Sequence, residues 1–137
     1  MGWFGPSEKE VADKVSMVLN VAISGALGAT YKFPDRARDD TFLLAYMMGA
    51  LYNGYNHAGI TSAKKQYNGA VHMFERFFPG EGRSIVEFCI QEVQAASQGA
   101  NETVQETLIL GMCETGKLIA GEGDAPAIHA HLVEHYA

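Results

Sequence analysis

Near the end of the chain, His129, His131, Glu134 and His135 have the residue types from which metal sites are made. His131 and His135 are four apart, which puts both imidazoles on one face of a helix, with Glu134 beside them as the remaining candidate donor. Stepping along that helix at about 100° per residue sets Ile128, His129, Leu132, Val133 and Tyr136 on the apolar side. His131 and His135 then fall on its flank. A metal ion, plain surface histidines or a pH-sensitive contact between subunits would each suit a flank of this kind. No further ligand stands out elsewhere, so no cofactor is expected. His129, on the inner side, is expected to be a core histidine with a bonded ring nitrogen, because an unpaired buried polar group costs about 1–3 kcal/mol.

A second cluster, Tyr46, Tyr52, Asn53, Asn56 and His57, has the makings of a small ligand pocket, with Met47 and Met48 as adaptable walls. In the competing reading the asparagines satisfy loop carbonyls and His57 sits at the negative end of its helix. Two familiar chemistries fail on inspection. Gly111 to Leu118 comes close to a phosphate loop, but it has leucine where the magnesium-binding hydroxyl belongs and lies inside a helical pattern. A di-iron centre needs Glu-x-x-His on two helices, and no glutamate of this chain has histidine three residues later. No nucleophile elbow or Gly-rich strand end offers a Ser-His-Asp or Cys-His set.

The elements that would have to position these residues are helices. Phe42 to Tyr52 is apolar on every side of a helical wheel, and no charge interrupts Thr41 to Ala63. Such a helix is buried all round, because exposed apolar area costs about 25 cal/mol per Å². The apolar run is about half of the roughly twenty residues a membrane span needs, so a core helix over about 40–58 is expected, ending near Gly59. Ala45 and Gly49, four apart, let another backbone approach closely.

Five more helices are expected around it. Ser7 and Glu10 form a capping box for the first, whose inner stripe is Val11, Val15, Val18, Leu19, Ala22 and Ala26. Asp13, Ser16, Asn20 and Ser24 follow its polar edge, which has no charge after Lys14. The second begins between Asp35 and Asp40. Thr61 or Ser62 caps the third and Pro79-Gly80 ends it, the fourth runs over about 83–97, Asn101 caps the fifth, and Asp124 with Pro126 opens the last. No strand-like alternation, repeat or linker interrupts them. The expected fold is all-α: one domain over 1–137, a compact bundle of about six helices with a short arm over 1–6.

Composition narrows the function. Charged residues make up 19% of the chain and hydrophobic ones 47%, which leaves little charge to cover the outside and favours shared burial in a homo-oligomer. Trp3 and Phe4 in the arm either fold back on the domain or dock on a second subunit. A net charge of −6 with no basic stripe argues against nucleic acid. Cys89 and Cys113 are expected as buried free thiols. Val15 to Ala29 resembles a signal-peptide core, but Glu8, Glu10 and Asp13 precede it where positive charge belongs, so a cytoplasmic protein is expected, with no membrane partner. Asn101-Glu102-Thr103 is a formal glycosylation sequon that a helix cap explains. The expectation is a small non-enzymatic helical protein acting through protein contacts as a homodimer. Its alternative is a ligand or metal binder using one of the two clusters.

Overall fold

The computed structural model describes residues 5–99 and 102–137, leaving aside the Ala96 side chain. Trp3, Phe4 and Asn101 lie outside the described residues. The chain forms a compact all-helical bundle: α1 (Glu8–Leu27), α2 (Thr41–Ala58), α3 (Ala63–Phe77), α4 (Gly82–Ser97), α5 (Glu102–Ile119) and α6 (Pro126–Tyr136).

Local chemistry sets most of the boundaries. The Ser7 hydroxyl accepts the Glu10 N–H at 3.2 Å to start α1, and Ser62 accepts the Lys65 N–H to start α3. At the second boundary the expectation needs refining. Asp35–Asp39 winds into a 3-10 turn, and α2 begins only at Thr41, because Asp40 is extended and its carboxylate accepts the Leu43 N–H at 3.1 Å. Gly59 closes α2 in the left-handed conformation, φ 72°, which costs glycine nothing.

α2 is the axis of the bundle. Every residue from Leu43 to Leu51 is buried, and only Phe42 and Tyr52 at the ends of the apolar run are partly open. α5 covers it most extensively, and α1, α3, α4 and α6 close the remaining sides. The α2–α5 crossing is close because glycine stands on both sides of it. A Cβ built on Gly49 would lie 2.1 Å from the Leu108 carbonyl oxygen, and one on Gly111 would lie 2.2 Å from that of Tyr46. The small residue foreseen in α2 thus has a counterpart in α5, inside the segment that mimics a phosphate loop.

α1 departs from its expected pattern. Ser16, assigned to the polar edge, is fully buried and donates to the Ala12 carbonyl at 2.7 Å, which removes the cost of burying its hydroxyl. Val18, Ala22 and Ala26 are only partly covered. The buried stripe is rotated toward Ala12, Ser16 and Ile23 because α3 packs on that side, where Asp13 receives His72 and Arg76, each at 2.9 Å. The His72 hydrogen bond, helped by the Arg76 charge, holds the Asp13 carboxyl below its ordinary value.

Candidate functional site

At the C-terminal end of α6 the histidines meet the start of α2. His131 Nε2 lies 2.7 Å from Asp40 Oδ2, and the Tyr136 hydroxyl donates to the same oxygen at 2.6 Å. The His131 ring stacks on Phe42, with centroids 4.3 Å apart, and leans on His135 at 4.4 Å. Arg36 lies over the Tyr136 ring at 4.7 Å and donates to the His135 carbonyl. Burial pushes the Asp40 carboxyl up, but hydrogen bonds from Tyr136, His131 and the Leu43 N–H outweigh it and hold the group below its ordinary value. The Tyr136 hydroxyl moves the other way, raised first by burial and then by Asp40. The residues mate two helices. His131 is committed to Asp40, whereas Glu134 and His135 are exposed. Among the described residues, no three of His, Cys, Asp and Glu form a group that could hold a metal ion.

His129 is not a core residue. It is exposed, because α6 docks through Ile128, Leu132 and Tyr136, and His129 lies past the edge of that stripe. Val133 is likewise 43% exposed.

The opposite end of α6 is held by a buried carboxylate. Glu114, only 7% exposed, accepts the Tyr46 hydroxyl at 2.7 Å, the Ala127 N–H at 2.9 Å and the Ile128 N–H at 3.4 Å. It supplies the cap that Ala125 lacks, and its negative charge faces the positive end of the helix. Burial, followed by Glu114, drives the Tyr46 phenol far above its ordinary value. Glu114 was not singled out from sequence, although it stands three residues after Gly111 and one before Thr115 on the buried stripe of α5.

Three of the five residues proposed for a ligand pocket have separate surroundings. Tyr46 is bonded to Glu114, and Asn56 and His57 are exposed. Tyr52 and Asn53 are partly buried, and the Asn53 side-chain nitrogen is buried without a hydrogen-bond partner, close to Gly116. His57 lines a groove of about 250 Å³ with Val11, Lys14, Val15 and Ile119. A second groove of about 430 Å³ continues along α1, lined by Val21, Ala22, Gly25, Leu118 and His129 among others. Between Lys14 and Gly25, α1 also turns large apolar side chains outward: Met17 is 66% exposed and Val21 is 69% exposed. Ile119 of α5, 54% exposed, stands in the first groove beside Lys14. Sequence carried this signal in the 14, 17, 21 spacing opposite the buried stripe.

Cys89 is buried and Cys113 exposed, both as free thiols, so only the first matches expectation. Burial pushes the Cys89 thiol up to about 12. Among the described residues, no helix is long and apolar enough to cross a membrane. Compared with protein-family models, curated proteins and solved structures, the chain matches none.

Proposed function

We propose that this is a non-enzymatic helical protein of the cytoplasm that works through protein contacts as a homodimer, and that the outward face of α1 is its contact surface. The observation that carries this reading is the pair Met17 and Val21, two large apolar side chains left in water at 66% and 69% exposure. Val21 lines the second groove, and Lys14 and Ile119 line the first, so the outward strip of α1 adjoins both grooves. A second copy offers the same strip, and one patch serves both sides of a two-fold interface. The polar clusters favour no reaction over this: the hydroxyl and carboxylates of Tyr46, Glu114 and Asp40 are engaged within the fold.

Sedimentation at tens of micromolar should give the mass of a dimer. Met17→Glu with Val21→Glu should give a monomer with unchanged helical circular dichroism. A native chain that sediments as a monomer, or a dimer indifferent to both charges, overturns the reading.

A further inference from the structure

Resting on the reading of α1 as a self-association face, we infer that the two copies meet antiparallel, about a two-fold axis passing between Met17 and Val21, with Lys14 of each seated on the last turn of its partner's α1. The charges on the face select this setting. Between Ser7 and Gly28 the outward side carries Glu10, Lys14, Met17, Val21 and Ser24, so both of its charges lie in the first half of the helix. A parallel pairing would oppose Glu10 to Glu10 and Lys14 to Lys14, with like charges facing each other.

The antiparallel pairing places Met17 against the partner's Val21, apolar on apolar. It also brings Lys14 to the partner's Ser24 and Gly25. That last turn of α1 contains no basic residue of its own, and its free carbonyls make it the negative end of the helix dipole. Space is available there, since a Cβ built on Gly25 would touch nothing within 4 Å. The Lys14 stem leaves the groove it shares with Ile119, so its methylenes stay in apolar contact while the ammonium reaches across. Glu10 falls beyond the end of the partner helix, in water.

Disulfide trapping distinguishes the settings. In a Cys113→Ser background, which removes the exposed thiol, one preparation carries Lys14→Cys and a second, of different mass, carries Ser24→Cys. Residues 14 and 24 lie about 15 Å apart along one helix, well beyond the Cα separation of about 4.4–6.8 Å that a disulfide spans. Mixed and mildly oxidised, the two should give the heterodisulfide in clear excess over both same-site disulfides. Same-site disulfides in excess, statistical proportions, or a dimer that traps at neither position would overturn the antiparallel setting while the dimer itself stands. A chain that is monomeric before oxidation would overturn the self-association reading instead. Because Lys14→Cys removes the charge at issue, a second readout is needed. Lys14→Gln should weaken dimerisation about fivefold, and Lys14→Arg should restore it. An unchanged affinity in Lys14→Gln also overturns the assignment of the ammonium to the partner's helix end.

Discussion

α1 and α2 are the two longest apolar helices that begin before residue 50, and they spend their surface differently. From Leu43 to Leu51, α2 buries every residue against its neighbours. α1 buries Val11, Val15, Leu19 and Ile23 on one side but leaves Met17 and Val21 in water. Composition does not separate the two cases, because α2 throughout and α1 after Lys14 both run for several turns without a charge. The difference is one of neighbours: all five other helices pack on α2, whereas α1 keeps its Met17 and Val21 side uncovered, as an edge helix does. An apolar side on an edge helix is therefore informative in a way that the same side on a central helix is not.

The sharpest way to break that comparison is to add the same methyl group to each helix. Gly49→Ala drives a Cβ against the Leu108 backbone, with contacts of 2.1 Å to its oxygen and 2.9 Å to its carbonyl carbon, neither of which can rotate away. The variant should lose about 3 kcal/mol or more, at the upper end of overpacking costs. Gly25→Ala in α1, measured at a dilution where light scattering shows single copies, meets open space and gains helix propensity, so it should be stabilised by about 0.5 kcal/mol. Urea midpoints check both signs. Equal effects would mean that the two helices are equally enclosed.

How much of this could be read beforehand depends on whether the deciding partner is local. The burial of α2 was legible because eleven apolar residues without a charge leave no side for water, and Gly49 announced a close crossing. The cap at Ser7, and that of α3 to within Thr61 or Ser62, were legible because hydroxyl and amide are three residues apart. The locking of His131 to Asp40 was not, because the two are 91 positions apart and nothing in the C-terminal helix names its partner. The wheel failed at His129 for a related reason. It drew an apolar side wide enough to include that residue, whereas the dock onto the bundle is the narrower stripe of Ile128, Leu132 and Tyr136. In α1 the spacing of the inner stripe was right in period but rotated, since only packing against α3 decides that Ser16 goes in and Met17 out.

Two methionines sharpen the comparison further. Met47 in α2 is 0% exposed and Met17 in α1 is 66% exposed, so truncation separates a core side chain from a surface one of identical chemistry. Met47→Ala should cost about 3 kcal/mol through lost burial and the cavity left behind. Met17→Ala, measured at a dilution where light scattering shows single copies, should stay within about 0.5 kcal/mol of the native chain. A large loss there would mean that Met17 packs within its own copy, and the outward face of α1 would have no role in association.

The smallest difference between the two helices concerns how they start. Ser7 caps α1 with an exposed hydroxyl that does not titrate, whereas Asp40 caps α2 with a carboxylate that also receives His131 and Tyr136. Ser7→Ala should therefore cost about 1 kcal/mol at every pH. Asp40 behaves differently, because its carboxyl is held below the ordinary value in the folded state. A depressed folded value means that the unfolded chain binds the proton first on acidification. The contribution of Asp40 is thus complete above the unfolded carboxylate value of about 3.9 and is lost as pH falls below it through the folded value. Asp40→Asn keeps a capping oxygen but not the charge that strengthens the His131 and Tyr136 bonds, so it should lower stability by about 1 kcal/mol near neutrality. Its deficit relative to the native chain should shrink on acidification below about pH 4, which urea midpoints taken across that range will follow. Tyr136 and Tyr46, raised above their ordinary value, act at the alkaline end and leave this window untouched. If the deficit of Asp40→Asn stayed as flat with pH as that of Ser7→Ala, the start of α2 would be held by cap geometry alone. The ionised contact with α6 would then contribute nothing to setting the central helix apart from the edge one.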